Sequence, residues 1–137
     1  MALIVVDAGV VIAVLDSHDV HHQPARDALG GVLDRGDSLV LPASAYAEIL
    51  VAPLRAGHGT AAVDLMIDTL PLGIRDATRV IARRAAELRA RHGSRLRLPD
   101  ALVVATGMEL GAASIMTTDS RWPKLPIRVE VLRAAGG

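Results

Sequence analysis

The chain has 137 residues, 15 basic and 15 acidic side chains, an apolar half, and neither cysteine nor phenylalanine. That composition fits one domain over residues 1–137 with an aliphatic core, and it excludes disulfides and thiolate metal sites, leaving oxygen or imidazole to hold any metal. No apolar run reaches the roughly 20 residues that span a bilayer, and Asp7 interrupts an N-terminus without a basic leader, so no membrane association and no signal peptide are expected and the reading is a soluble, cytoplasmic protein.

Ala2 to Asp7 is a continuous apolar run ending in an acid, which reads as a buried central strand because both of its faces are apolar. Gly9 to Leu15 reads as a short helix and Asp16 to His22 as a polar loop. Pro24 suits the first turn of a second helix reaching Arg35, and Gly36-Asp37 is a turn signal. Residues 38–41 form a second strand. A third helix covers 43–52, opened by Pro42 and Ser44, disturbed by Pro53 and ended by Gly57. Residues 60–70 form a fourth helix, with Val63, Met66, Ile67 and Leu70 at helical spacing, and Pro71 to Ile74 a third strand.

Residues 76–92 predict an amphipathic helix whose apolar stripe is Ala77, Val80, Ile81, Ala85 and Leu88, with Arg75, Arg79 and Arg83 stepping along another face. Gly93 stops it. Pro99 opens an almost wholly apolar helix, 99–110, ended by Gly111. Ala113 to Met116 is the fourth strand, followed by Thr117-Thr118-Asp119, and residues 127–132 are the last strand. Strands alternating with helices imply an α/β sandwich around a mainly parallel sheet. Charge is uneven along it: residues 1–48 hold seven acids against Arg26 and Arg35, and residues 75–97 hold eight arginines against Asp76 and Glu87. Such asymmetry is compatible with a polyanionic partner.

In open α/β sheets, ligands bind beyond the carboxyl ends of the strands. Asp7 and Asp119 both stand at such ends. Glu48 follows the second strand on a face of small residues, and Asp100 lies in the first turn of the apolar helix. Each acid has a plain structural reading: a turn residue for Asp7 and Asp119, a helix N-terminal charge for Asp100, a solvated helix residue for Glu48. As a set they have another. Converging carboxylates repel in a low-dielectric site unless a cation neutralises them. Oxygen ligands without His or Cys select Mg²⁺ or Mn²⁺, which activates water and clamps a phosphate for in-line displacement.

Val-Val-Asp7, Ala-Glu48-Ile, Leu-Pro-Asp100-Ala-Leu and Thr117-Thr118-Asp119, in that order and spacing, resemble the successive motifs of PIN-domain nucleases. With little chain outside them, the whole looks like a VapC-type toxin of a bacterial toxin–antitoxin pair. The resemblance implies a three-layer sandwich with a parallel sheet ordered 3-2-1-4-5 and helices on both faces. It implies Mg²⁺-dependent hydrolysis of RNA phosphodiesters leaving a 5′-phosphate, with Mn²⁺ a possible substitute, a homodimer, and a cognate antitoxin that blocks the active-site groove. By position, Asp7, Glu48, Asp100 and Asp119 would be catalytic, with Asp7, Asp100 and Asp119 as metal ligands. Thr117 matches the family hydroxyl before the last acid; two residues apart in an extended segment, it shares a face with Asp119 and is placed to orient a carboxylate. Ala8 and Gly9 depart from the pattern, which usually has Ser, Thr or Asn just after the first acid.

That departure supports an alternative, a catalytically weak or inactive member that binds RNA or a partner protein through the same fold. Other acid-at-strand-end enzymes fit less well. Haloacid-dehalogenase-type phosphatases want a second acid where this chain has Gly9, and receiver domains want a late Lys where only Lys124 exists. His21 and His22 are adjacent and suit a helix start or surface better than one shared ion. The arginine-rich segment suits RNA phosphates, a solvated face, or a dimer or antitoxin contact. Trp122 suits packing of the loop after Asp119, or stacking on a base. Tyr46 and Leu50 suit the core or a subunit interface.

Overall fold

A computed structural model describes residues 1–134. Strand β1 (Leu3–Val6) is buried on both faces past its first residue. Helix α1 (Ala8–Leu15) begins directly after it, because the Asp7 carboxylate accepts the Ala8 N–H at 2.8 Å and caps the helix. Helix α2 (His22–Asp34) starts two residues before Pro24; the His22 imidazole Nδ1 lies 2.7 Å from the Ala13 carbonyl and ties α2 to the end of α1. Strand β2 (Ser38–Pro42) runs straight into helix α3 (Ala43–Arg55).

Helix α3 passes through Pro53 rather than ending before it. A proline loses the bond its own N–H would make and crowds the carbonyl one turn back, but so close to the helix end little lies beyond it to disrupt, and the Ala56 N–H still closes onto the Ala52 carbonyl. Helix α4 (Ala61–Thr69) is pinned to α3 through Asp64, which accepts from both Tyr46 and Thr60. Strand β3 (Leu72–Arg75) follows.

Helix α5 (Arg79–His92) starts later than its periodicity predicts, because Thr78 caps it by accepting the Ile81 N–H. The stripe is consequently narrower than expected: Ile81, Ala85 and Leu88 are buried, while Ala77 lies outside the helix and Val80 is 55% exposed. A short 3-10 turn at Gly93–Arg95 leads to helix α6 (Leu98–Leu110), which Gly111 ends in the left-handed region at φ 65°. Strands β4 (Ser114–Thr117) and β5 (Val129–Val131) complete the order, β5 being shorter than the sequence predicts.

The five strands are all parallel and ordered 3-2-1-4-5. The first two crossovers travel one way across the sheet and the third returns, so right-handed connections put α1–α4 and α5–α6 on opposite faces. Val5, Val6, Leu41, Ile115 and Met116 fill the middle of the core with Val10 and Val11 from α1 and Val103 and Val104 from α6. Gly107 lets α6 press on the sheet: a Cβ there would lie 3.0 Å from Ile115 Cγ1. Among the described residues no helix is long and apolar enough to cross a membrane.

Candidate active site

The strand order reverses direction between β1 and β4, and a crevice outside the carboxyl ends of strands opens at such a point. Val6 pairs with Met116, and the Asp7 N–H continues the ladder onto the Met116 carbonyl at 2.9 Å. This register sets Asp7 beside Thr117. Asp119 follows two residues after β4, Asp100 projects from the first turn of α6, and Glu48 from the second turn of α3.

The acids share one electrostatic field. Burial raises the Asp7 carboxyl above its ordinary value, and the neighbouring Asp119 adds to this against hydrogen bonds from Thr117 and Ala8. Burial, then Asp7 and Asp119, push Asp100 up to about 6. Lost solvation, then Asp7 and Asp100, raise Glu48. Glu48 is exposed as a residue, so its lost solvation reflects crowding by protein atoms around the carboxyl, not enclosure. Asp119 behaves differently: burial pushes it up, but bonds from the Arg121 side chain and backbone outweigh that and hold it below the usual range. Asp7 is thus linked to each of the other three.

Thr117 is fully buried; its hydroxyl donates to Asp7 Oδ2 at 2.8 Å and accepts the Asp119 N–H at 3.1 Å. The carboxylate it orients is therefore that of Asp7, across the strand pair, and not the side chain of Asp119 on its own strand. Gly9 faces Thr118: a Cβ at residue 9 would fall 2.6 Å from the Thr118 hydroxyl oxygen. The departure at Ala8-Gly9 leaves room for a threonine hydroxyl from the opposite side of the crevice. Gly9→Ser is accordingly expected to destabilise the fold by about 1–2 kcal/mol through overpacking, and Gly9→Ser with Thr118→Ala to recover most of it. Urea melts of the two variants check this, and equal losses in both would show that the contact is not the cause.

Two arginines complete the site. Arg121 meets Asp119 with Nε at 3.2 Å and a terminal nitrogen at 3.4 Å, and Arg97 counters Glu48, Asp100 and Asp119 from a greater distance. In the sequence Arg97 is one member of a basic segment, and Arg121 belongs to no motif, although an arginine two residues after an acid is a short-range signal for an ion pair. Asp100 and Asp119 line a cavity of about 180 Å³ with Arg95, Arg97, Arg121 and Trp122. The Trp122 indole N–H is buried without a hydrogen-bond partner. It lies near enough to Asp100 to favour its ionised form without the geometry of a bond to it. Glu48 instead borders an apolar groove of about 280 Å³ between α1, α3 and the start of α4, lined by Ile12, Leu15, Ile49, Ala52 and Val63.

Among the described residues no three acidic or histidine side chains stand close enough to form a ready-made cage. The donor set still suits a hard, hydrated divalent ion: all oxygen, mutually repelling, and partly desolvated. Mg²⁺ keeps several waters and takes only one or two carboxylates directly. His21 pairs with Asp19 at 3.5 Å, and His22 with the Ala13 carbonyl.

The sequence pattern of the PIN domain matches residues 4–127. No curated protein matches. Among solved structures, VapBC2 from Rickettsia felis, bound to a DNA fragment from its promoter, shares 12% identity over 96% of this chain and 99% of that one, with a TM-score of 0.77. A toxin–antitoxin complex from Klebsiella pneumoniae shares 21% identity over 92% of this chain and 93% of that one, with a TM-score of 0.70. VapC20 from Mycobacterium tuberculosis, described as a sarcin–ricin loop cleaving toxin, shares 20% identity over 82% and 86%, with a TM-score of 0.65. Likeness at these identities is likeness of fold.

Proposed function

This chain belongs to the PIN-domain family, and from that premise we propose that it is a Mg²⁺-dependent ribonuclease, the cytoplasmic toxin of a toxin–antitoxin pair, working as a homodimer. The observation that carries the reading is the meeting of Asp7, Glu48, Asp100 and Asp119 in one field at the switch point of the sheet. Asp7, Asp100 and Asp119 would hold the ion, Mn²⁺ serving in place of Mg²⁺. When bound, it supplies charge neutralisation for the phosphodiester and lowers the pKa of water.

The rest of the chemistry falls to the chain. Thr117 fixes one Asp7 oxygen, so that carboxylate does not reorganise during the reaction. Glu48, with its raised proton affinity, takes the proton of the attacking water. The water oxygen bonds to phosphorus in line with the 3′-oxygen, the P–O3′ bond breaks, the 3′-oxygen leaves with a proton taken from solvent water, Glu48 returns its proton to solvent, and the products are a 5′-phosphate and a 3′-hydroxyl. An antitoxin segment seated in the apolar groove would abut Glu48 and close the approach to the acids.

The engagement of Asp119 by Arg121 favours the second reading, a module that binds without cutting. Incubation with total cellular RNA separates the two. Fragments bearing 5′-phosphates are expected with Mg²⁺, intact RNA with EDTA, and renewed cleavage on adding back Mg²⁺ or Mn²⁺. RNA that stays intact in every condition would reject the nuclease.

A further inference from the structure

The cavity that holds Asp100 and Asp119 carries more basic than acidic side chains. Three guanidiniums, from Arg95, Arg97 and Arg121, line the same space as Asp100 and Asp119. We propose that this cavity seats a phosphodiester of single-stranded RNA adjoining the one to be cut, with Arg97 and Arg121 as its anion-binding groups; this rests on the nuclease reading above.

Size sets the first limit. At about 180 Å³ the cavity is well above the roughly 10–15 Å³ that a single water needs and below the roughly 300–1,000 Å³ of pockets that enclose larger ligands, a size suited to a phosphate with part of its sugar. Arginine chemistry sets the second. The Arg121 side chain is 88% exposed, and its two contacts to Asp119 are long, at 3.2 and 3.4 Å. An exposed pair of that kind contributes little and exchanges readily. Arg97 stands in the field of Glu48, Asp100 and Asp119, yet among the described residues it forms no salt bridge with any of them. Its planar fork is thus held at the cavity by attraction and left unsaturated, the condition in which arginine takes phosphate oxygens bidentately.

Balance of charge supplies the third argument. Three guanidiniums and two carboxylates line the cavity itself; with Asp7 and Glu48 counted from the surrounding field, the wider bare site is slightly anionic, and one divalent cation turns it cationic. The arginines therefore need the acids occupied before an RNA strand is attracted, which makes RNA and metal binding mutually reinforcing. Arg75, Arg79 and Arg83 on and before α5 are exposed but line no part of this cavity.

Fluorescence anisotropy of a short, labelled, mixed-sequence oligoribonucleotide tests the assignment without relying on turnover. The measurements use Asp7→Asn protein in Mg²⁺ over a series of salt concentrations. Asp7→Asn removes one repelling charge along with cleavage. Adding Arg97→Ala or Arg121→Ala is expected to weaken binding roughly tenfold, and each to reduce the slope of log affinity against log salt by about 0.7. Arg97→Lys, which keeps the charge and loses the fork, is expected to restore the slope but only part of the affinity. Arg79→Ala is the control, with circular dichroism to verify each fold. Unchanged affinity in both alanine variants, or a loss no larger than that of Arg79→Ala, would overturn the subsite; unchanged RNA affinity with altered binding of an acidic peptide would assign these arginines to a protein partner. Failure of the nuclease itself reads out separately, as intact cellular RNA with the unaltered protein.

Discussion

Asp7→Asn is expected to lower RNA cleavage by roughly a thousandfold or more while leaving the folded structure intact. The substitution is nearly isosteric and keeps the acceptor that caps α1 through the Ala8 N–H. It removes a charge that burial already disfavours, since Asp7 is only 9% exposed and its proton affinity is raised. The structural loss is confined to the Thr117 hydroxyl, which now donates to Asp7 Oδ2 and in the variant accepts from the asparagine amide, so that its own proton loses this acceptor; the loss costs about 1–3 kcal/mol. Asp7→Ala is a poorer probe because it also strips the helix cap, worth about 1 kcal/mol. Cleavage is read as 5′-phosphate fragments on gels and the fold by circular dichroism and thermal melting. Cleavage within a few-fold of the parent would remove Asp7, and with it the acidic cluster, from the reaction.

Some of this site is visible in the sequence for a simple reason: short-range patterns specify it. Ala2 to Asp7 announces a buried strand ending in an acid because a strand covered on both faces has no polar positions. Asp100 is placed near the core because α6 is apolar nearly all round, and the buried Ala101, Val103, Val104 and Ala105 bear that out. The strand order, by contrast, follows from family resemblance and not from periodicity. What the sequence leaves hidden are cross-chain distances. Two-residue spacing pairs Thr117 with Asp119, but the β1–β4 register sets its hydroxyl on Asp7, 110 residues away. Arg97 stands three residues before Asp100, but nothing local says that it also acts on Glu48 and Asp119 from other parts of the chain. The same holds at Pro53 and Val80. A helix continues through a late proline, and a cap at Thr78 moves a valine into solvent, because the rest of α3 and α5 supplies more than either local signal removes.

Asp100→Asn divides stability from activity. Folding raises the Asp100 carboxyl from 3.8 to about 6, so between those pH values the folded protein holds a proton that the unfolded chain has released. Stability from this group is therefore fully present below pH 3.8 and is lost as pH rises through about 6. At pH 7 in EDTA, the variant should melt above the parent, by an amount limited by solvent because the side chain is only half-buried, and the difference should vanish toward pH 4. Cleavage should run the other way, climbing with pH in the parent because the ionised carboxylate is the useful form, with a midpoint below that of the metal-free protein because a bound cation favours ionisation. In the variant it should fall by at least about a hundredfold. Scanning calorimetry across pH and initial cleavage rates supply the two readouts. The rival account is specific: an acid in the first turn of α6 stabilises the helix electrostatically, and on that account Asp100→Asn melts below the parent at pH 7. A higher melting temperature with lost cleavage means that repulsion from Asp7 and Asp119 outweighs the helix field, and that the fold tolerates an unfavourable charge at the position where the ion would bind.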